Sequence, residues 1–368
     1  MNILHITTYV QGGAGKIIRD LALEQRKLGH RVIVVMNEKE EEGYENYIEY
    51  INDFQKNNIE FYKINSTFKR DIYLNIIAAD FVKKIIKENN IDIIHSHATT
   101  PSIIGIIAKS NEKKYIPIIQ TMHGWGINKN EKHENMDRSI LNLVDKVIAV
   151  SNSDKNFLIN KGIDKNNIDV IYNGVKKIKE KKVKDINIDK NILNIICIGS
   201  ICVRKNQIMI IEALKLMKKE KIKVYFIGEG SDADKLKLKA FEYGIYDKIE
   251  FLGYKENACE YINEFDYVIL PSLSEGLPIT ILESYSQGKP VIVSSLEVFK
   301  EITSYEEGFI FDEKNIYSLV RVLKQAKDTL HTNKYIEMSL KAVEKYKKYF
   351  TLEKMNIEYY EKYKELKR

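Results

Sequence analysis

The stretch from Phe265 to Ser294, FDYVILPSLSEGLPITILESYSQGKPVIVS, limits the fold of this chain more than any other segment. Its apolar run Tyr267–Leu270 is too short for a helix and ends at a proline, which predicts a buried strand. After a polar loop, apolar residues recur at helical spacing from Ile279 to a Gly-Lys-Pro stop signal, and residues 291–293 begin another strand. Strand, loop, helix and strand predict a parallel βαβ unit, whose loop lies at the sheet edge where open α/β sheets bind ligands.

Two glutamates mark this predicted unit, Glu275 in the loop and Glu283 in the helix. Their spacing is just over two helical turns, so Glu283 can point along the side on which Glu275 lies. Either glutamate alone has an ordinary explanation, in the helix dipole or in solvation. The backbone N–H groups at the predicted helix start attract an anion such as phosphate. They belong to Gly276, Leu277, Ile279 and Thr280.

The length of 368 residues suits two α/β domains better than one core. An apolar content of 44% with 30% charged residues is typical of a soluble globular protein. The sequence contains no apolar run near the ~18 residues of a membrane span, and it begins without a signal-peptide pattern. Its three cysteines lack metal-ligand spacing, which indicates reduced thiols. We therefore expect a cytoplasmic protein.

The net charge of +6 is modest, and lysines alternate with glutamates over most of the chain. This pattern favours solvated helix faces over a nucleic-acid surface, so we predict no nucleic-acid partner. The clusters Lys83-Lys84 and Lys113-Lys114 could contact anionic lipid headgroups at the inner face of the membrane, although composition favours solvation. Peripheral membrane contact thus stays open, and the sequence does not determine the oligomeric state.

A glycine-rich segment, Gln11-Gly12-Gly13-Ala14-Gly15-Lys16, follows the first predicted strand at residues 2–8. Glycines there let the backbone approach a phosphate or a sugar closely. A P-loop is disfavoured because Val10 and Ile17 replace the required glycine and hydroxyl residue. A dinucleotide fingerprint is disfavoured because its third glycine is missing. A helix is predicted to run from this turn to Leu28.

Histidines follow two further predicted strands. His95 and His97 share a face of one strand, but no third ligand lies near in sequence, so we expect no metal there. His123 follows the next strand, where a lone histidine is more often a hydrogen-bonded structural residue than a catalyst. Trp125 either lines an acceptor pocket or packs in a core, and the residues leave both interpretations open.

Cations follow the first predicted strand of the carboxyl-terminal half, in the segment GSICVRKN from Gly199 to Asn206. Positive charge at a helix start opposes the helix dipole unless an anion is bound, so Arg204 and Lys205 indicate an anion site. The segment from Ser231 to Asp234 contains the D-x-D pattern of some metal sites. It opens a predicted helix, so helix capping and the dipole explain it better.

Taken together, these segments resemble retaining glycosyltransferases of family 4, which have the GT-B fold. EGLPITILE at residues 275–283 resembles their donor-sugar site, and DIIHSH, TMHG and the GSICVRKN clamp are similar to family segments in the same order. Ser200 departs from the family pattern, which has arginine there. The resemblance implies two facing Rossmann-like domains with an interdomain cleft. Residues 1–176 form the acceptor-side domain with the helix 350–368 crossing back, 177–190 the linker, and 191–349 the nucleotide-sugar domain.

The resemblance also implies an activity. A hexosyl or N-acetylhexosaminyl group would pass, with retention, from a nucleotide-diphosphate sugar to a glycan or lipid-linked acceptor in cell-surface polysaccharide synthesis. The donor is expected to be a UDP-sugar, with no metal or other cofactor. Two alternatives remain: a UDP-sugar 2-epimerase of the same fold, and an inactive subunit that binds nucleotide sugars.

The site residues follow from the same resemblance. Glu275, His123 and Lys205 are the expected catalytic residues, with Glu275 bonding sugar hydroxyls and His123 beside the transferred sugar. No protein nucleophile is expected, although geometry must decide whether Glu275 is one. The expected contacts to the nucleotide are Gly13, Arg204, Lys205, Tyr254, Gly276, Leu277, Ile279, Thr280 and Glu283. Among these, Glu283 would hold the ribose, and Arg204 would compensate for Ser200.

Overall fold

The computed structural model describes residues 1–39, 46–65, 71–125, 129–178, 183 and 185–367. They form two compact units, one from Met1–Gly174 with Leu352–Arg368 and the other from Val175–Thr351. The predicted linker at 177–190 lies partly outside the described residues, at 179–182 and 184.

The amino-terminal unit contains a parallel sheet in the order β3-β2-β1-β4-β5-β6-β7. Its five central strands are short and almost entirely buried, as parallel strands covered by helices require, whereas the two edge strands are only partly buried. The strands are β1 Asn2–Ile6, β2 Arg31–Asn37, β3 Glu60–Ile64, β4 Ile93–Ser96, β5 Ile118–Met122, β6 Lys146–Ala149 and β7 Ile168–Val170. The helices between them are α1 Gly12–Lys27, α2 Tyr47–Lys56, α3 Ile72–Asn89, α4 Thr99–Lys109, α5 Glu131–Leu141 and α6 Asn152–Asn160.

The second unit has a parallel sheet in the order β10-β9-β8-β11-β12-β13. Its strands are β8 Leu193–Ile198, β9 Ile222–Ile227, β10 Ile249–Phe251, β11 Tyr267–Leu270, β12 Val291–Ser294 and β13 Gly308–Phe311. Its helices are α7 Ile208–Leu216, α8 Ala233–Glu242, α9 Ile279–Ser286, α10 Glu297–Ile302, α11 Ile316–Thr329 and α12 Asn333–Tyr349. A short 3-10 turn at Val203–Lys205 precedes α7.

The chain ends in α13, Leu352–Lys367, which is grouped with the first unit and packs on α1 there. One face of this helix is buried, since Leu352, Met355 and Tyr359 are each 1% exposed. Helix α13 therefore brings aromatic side chains from the end of the sequence into the core of the first unit.

The predicted βαβ unit is present as β11, α9 and β12, with β11 and β12 paired in parallel. Two local expectations change. Helix α1 begins at Gly12, so Gly13 lies in its first turn rather than in a loop. Asp232 occupies the N-cap position of α8 but its side chain makes no capping hydrogen bond, so that part of the capping interpretation was wrong.

Both sheets reverse their strand order at an equivalent place. In the first sheet, the chain leaves β1 and β4 in opposite directions across the sheet, and in the second it does so at β8 and β11. Such switch points are where open α/β sheets bind ligands. Across the described residues, helices long and apolar enough to cross a membrane are absent.

Candidate active site

Opposite charges meet at the switch point of the second sheet. Strands β8 and β11 are parallel neighbours, with Ile195 opposite Tyr267, so the segments that follow them leave the same sheet edge. One backbone bond joins the segments, from Leu273 N–H to the Arg204 carbonyl at 2.9 Å. The Asn206 amide adds a second, 3.2 Å from the carbonyl oxygen of Pro271. These bonds hold the predicted clamp against the predicted sugar loop.

Glu275 lies between the two cations of the clamp. Its Oε1 accepts from Lys205 Nζ at 2.7 Å, and its Oε2 accepts from Arg204 Nη1 at 3.1 Å. The same Nη1 donates to the Ser274 carbonyl at 2.9 Å. The structure therefore brings together three residues that the sequence predicted separately for the diphosphate and for the sugar.

This ion triad is largely removed from solvent. The side chains of Glu275 and Lys205 are 8% and 15% exposed, and that of Arg204 is 34% exposed. Burial raises the pKa of the Glu275 carboxyl, but the charges of Lys205 and Arg204 more than offset it, so the pKa lies below its ordinary value. The Glu275 carboxyl is thus ionised at neutral pH and lies between two basic side chains.

Close backbone packing supports the clamp. Gly228 follows β9 with φ +136°, and a Cβ built on it would lie 2.1 Å from the carbonyl oxygen of Gly199. A Cβ on Gly199 would in turn meet the end of the Lys205 side chain at 3.6 Å. Only glycine fits at position 228, so the turn after β9 presses on the segment that carries Lys205.

The remaining predicted nucleotide contacts of this unit lie on two segments. Pro278 occupies the N-cap position of α9, and Glu283 on this helix is buried at 4% exposure. Tyr254 follows β10, and its backbone N–H donates to Glu229 Oε1 at 3.4 Å. The predicted helix-start residues, in order, are Gly276, Leu277, Ile279 and Thr280, of which only Leu277 is fully buried. Gly13 belongs to the first unit and is exposed there.

Four histidines gather at the switch point of the first sheet. His5 on β1 is the register partner of His95 on β4, and His97 and His123 follow β4 and β5. His5 Nδ1 lies 3.0 Å from His97 Nε2, and His97 Nδ1 lies 3.1 Å from His123 Nε2. Sequence reasoning missed His5, because only the pairing of β1 with β4 reveals its neighbours.

All four imidazoles are neutral at neutral pH. Burial lowers the pKa of His5 and of His123 to about 4. Burial, reinforced by the neighbouring rings, lowers the pKa of His95 and His97 well below the ordinary value. The cluster is therefore suited to hydrogen bonding with uncharged groups rather than to binding an anion.

The strand order brings His5 beside His95 and His97, so a third possible metal ligand lies near in space although none lies near in sequence. Ligand nitrogens of the three residues lie within 4.8 Å of one another. Both His95 nitrogens are already hydrogen-bonded, Nδ1 to the Tyr363 hydroxyl at 2.6 Å and Nε2 to Thr121 Oγ1 at 2.8 Å. Hydrogen bonding alone therefore accounts for the cluster.

Trp125 packs in the first unit. It is 9% exposed, its ring meets Phe157 edge-on with centroids 5.8 Å apart, and Lys129 Nζ lies 4.1 Å from the ring centroid. Its Nε1 donates to Glu134 Oε1 at 3.2 Å. Of the two interpretations left open by the sequence, these contacts match packing.

Comparison with known proteins identifies the two units. Residues 11–177 match the profile of glycosyltransferase family 4, and residues 178–348 match that of glycosyl transferases group 1. A relative from Escherichia coli, UDP-Gal:alpha-D-GlcNAc-diphosphoundecaprenol alpha-1,3-galactosyltransferase, is 26% identical over 67% of this chain and 68% of its own.

Solved structures agree on the fold. A glycosyltransferase from Rickettsia africae matches with a TM-score of 0.86 at 21% identity, over 99% of this chain and 98% of its own. Anabaena HepE in complex with UDP matches with a TM-score of 0.82 at 17% identity, over 100% of both chains. The prediction of a GT-B fold is therefore confirmed, and the chain belongs to the family of glycosyl transferases group 1, with the amino-terminal domain of glycosyltransferase family 4.

Proposed function

We propose that this protein is a retaining glycosyltransferase that moves a sugar from a UDP-sugar to a glycan or lipid-linked acceptor in cell-surface polysaccharide synthesis. The ion triad of Arg204, Lys205 and Glu275 carries the proposal. When a glycosyl group leaves a nucleotide-diphosphate sugar, negative charge develops on the departing diphosphate, and preorganised cations in a water-poor site stabilise it. Lys205 and Arg204 supply two such cations without a metal.

The triad also gives Glu275 a role that changes on binding. In the free protein its carboxylate neutralises both cations, 2.7 and 3.1 Å away. A donor diphosphate brings its own negative charge and takes over Lys205 and Arg204. Glu275 then accepts hydrogen bonds from hydroxyl groups of the transferred sugar, since a carboxylate is a strong acceptor for O–H donors.

The other contacts extend from this centre along the donor. Glu283, buried on α9, accepts paired hydrogen bonds from the ribose hydroxyls. The N–H groups at the start of α9 favour the diphosphate through the helix dipole. The backbone near Tyr254 holds the uracil, and His123 contacts the sugar. An oxygen of the leaving phosphate assists deprotonation of the acceptor hydroxyl. The acceptor therefore attacks the sugar directly, and no protein nucleophile is assigned.

The names of similar proteins favour a UDP-sugar over other donors. The name of the Escherichia coli relative specifies UDP-Gal as donor and a diphosphoundecaprenol acceptor, and the Anabaena structure holds UDP. For this chain we propose a UDP-hexose or UDP-N-acetylhexosamine as the donor and a lipid-linked diphosphate glycan as the acceptor.

The direct test is a UDP-release assay with a panel of UDP-sugars, each with and without undecaprenyl-diphosphate-linked sugars as acceptors. We expect acceptor-dependent UDP release, unchanged by EDTA, and an NMR-detected product with the anomeric configuration of the donor. Inverted product would refute retention. Product formed from donor alone would indicate a 2-epimerase, and UDP binding without turnover of any donor would indicate an inactive subunit.

The replacement of the family arginine by Ser200 is tested separately. If Arg204 supplies the missing charge, Arg204→Met lowers kcat/KM by about 10- to 100-fold, the range for one charge-assisted hydrogen bond. The same change in a Ser200→Arg background then has a smaller effect, since the second guanidinium restores the clamp. Equal losses in both backgrounds would show that Arg204 does not compensate for Ser200.

A further inference from the structure

The histidines of the first unit form a directed hydrogen-bond chain that ends in an amide. From the amide outward, His5 Nε2 lies 2.8 Å from Gln25 Oε1, His5 Nδ1 lies 3.0 Å from His97 Nε2, and His97 Nδ1 lies 3.1 Å from His123 Nε2. We call Gln25, His5, His97 and His123 the histidine chain. Its first three members are buried, at 4%, 0% and 7% exposure, so water does not compete for these bonds.

Gln25 gives the chain a direction. A carbonyl oxygen only accepts, so the proton between Gln25 and His5 belongs to His5 Nε2. A neutral imidazole carries one N–H, so His5 Nδ1 is bare and accepts from His97 Nε2–H. By the same step, His97 Nδ1 accepts from His123 Nε2–H. His123 Nδ1 is therefore the bare nitrogen.

A second branch begins at the nitrogen of the same amide. Gln25 Nε2 donates to the Tyr363 hydroxyl at 3.1 Å, and that hydroxyl gives its proton to His95 Nδ1 at 2.6 Å. His95 Nε2–H then donates to Thr121 Oγ1 at 2.8 Å, whose own proton goes to the Tyr359 hydroxyl at 2.8 Å. Turning the amide over would reverse both branches at once, so the orientation of this one amide sets the direction of both.

We propose that Gln25, His5 and His97 are positioning residues that fix His123 as its Nε2–H tautomer and so make its Nδ1 a hydrogen-bond acceptor. Because Nε2 is committed to His97, Nδ1 is the ring nitrogen left for a ligand. A neutral acceptor of this kind selects an O–H donor and offers nothing to a phosphate. This inference deepens the proposed function. Its last step, the binding of a sugar hydroxyl as the O–H donor to His123 Nδ1, rests on that function.

A bound metal is the competing explanation for the same residues. A metal at His5, His95 and His97 would need a lone pair from each ring directed at one point. In the histidine chain, the rings of His5 and His97 lie nearly parallel, with an interplanar angle of 14°, and each ring uses both of its nitrogens in hydrogen bonds. A metal would therefore break bonds that already satisfy these buried groups.

The test is a 15N NMR measurement of histidine tautomers in the free, full-length protein at pH 7. The protein contains seven histidines, so the His123→Ala variant is used to identify the signals of His123. We expect a bare-nitrogen shift for Nδ1 and a protonated shift for Nε2 of His123. A protonated Nδ1, an averaged pair of shifts, or stoichiometric zinc by elemental analysis would each overturn the proposal.

Two variants distinguish a directing role of the histidine chain from a role in packing alone. Gln25→Met removes the acceptor and should leave His123 as a mixture of tautomers, with kcat/KM lowered about 2- to 10-fold, the value of one net hydrogen bond. Tyr359→Phe keeps the Tyr363 hydroxyl against the Gln25 amide and removes only the far end of the other branch, the hydroxyl 2.8 Å from Thr121 Oγ1, so it should alter the shifts of His95 and leave the tautomer of His123 unchanged. If both variants change the tautomer of His123 equally, the histidine chain does not determine that tautomer.

A final measurement separates this proposal from the proposed function. A UDP-sugar that is turned over should shift His123 Nδ1 toward the value of a hydrogen-bonded acceptor, whereas UDP alone should shift it less. If His123 has the expected tautomer but does not respond to UDP-sugars, the histidine chain is supported and the proposed sugar contact is contradicted. If His123 has the other tautomer in an active transferase, the proposed function is supported and the directing role of the histidine chain is contradicted.

Discussion

Removing Lys205 from the ion triad should cost more stability than removing Lys205 and Glu275 together. In Lys205→Met, the Glu275 carboxylate keeps Arg204 at 3.1 Å but loses Lys205 at 2.7 Å, while 92% of its side-chain surface remains out of solvent, given its 8% exposure. Leaving one charge of a buried pair behind costs ~3–5 kcal/mol. Because Arg204 remains, we expect the lower end, ~3 kcal/mol, in the free energy of unfolding.

The assay is a double-mutant cycle by chemical denaturation of the full chain at pH 7. It compares the parent protein, Lys205→Met, Glu275→Gln and the double variant, following the transition of the second unit. The double variant should recover part of the loss, with a coupling energy of ~2 kcal/mol, within the range for contacting residues. The matched control is Lys300→Met, because Lys300 pairs with Glu297 at 2.8 Å in the same unit but is 48% exposed. That control should leave the free energy of unfolding essentially unchanged.

The pH dependence provides a second check on the same residues. The pKa of Glu275 is lower in the folded protein than its ordinary value, so its stabilisation is present above that value and is lost as pH falls. Without Lys205, burial should raise the pKa of Glu275, and the sign of the dependence should reverse. The cost of Lys205→Met should therefore shrink as the pH is lowered. A coupling energy within ~0.5 kcal/mol of zero, or a cost independent of pH, would refute the reasoning.

Three further predictions concern the rest of the chain. Gly228→Ala should destabilise the second unit by ~2 kcal/mol or more in denaturant titrations, because its Cβ would lie 2.1 Å from a backbone oxygen at φ +136°; an unchanged midpoint would contradict this. The free energy of unfolding should fall as pH is lowered from 6.5 toward 4, because His5 and His123 have a pKa of about 4 in the folded protein. Each of the two can contribute as much as ~1.4 kcal/mol per pH unit. A free energy that does not change in that window would show that they are not buried as neutral rings. Lys129→Met should lower the thermal midpoint of the first unit and cost ~3 kcal/mol, since Asp137, 2.6 Å away, is 0% exposed; Asp137→Asn in the same background should recover part of the loss.

Local patterns predicted the elements of this fold well because their causes are local. The run from Tyr267 to Leu270, the helix start at Ile279 and the stop after Ser286 each depend on neighbours within a few residues. The failures are also local. The sequence predicts a turn at Gly13, but the helix begins one residue earlier, at Gly12. Gly15 in its first turn packs against Val10, where a Cβ would come within 2.6 Å of the backbone.

The site could be predicted only where a motif keeps its residues close in sequence. Glu275 and Glu283 share one segment, so their association with a helix start was visible in the sequence. The contact of Arg204 with Glu275 spans 71 residues, and that of His95 with Tyr363 spans 268. Such contacts depend on strand order and on where the last helix packs, which periodicity does not encode.

The two sheets apply one topological rule to opposite chemistry. Each reverses its strand order between its first and fourth strands, and each gathers polar side chains at that point. In the second unit these groups are the charged side chains of the ion triad, and in the first unit they are neutral imidazoles joined by directed hydrogen bonds. Under the proposed function, the triad can exchange partners with a charged diphosphate and the histidine chain can bind a hydroxyl. Cations at both points would give the diphosphate two places to bind, so neutral imidazoles in the first unit would favour its binding at the triad.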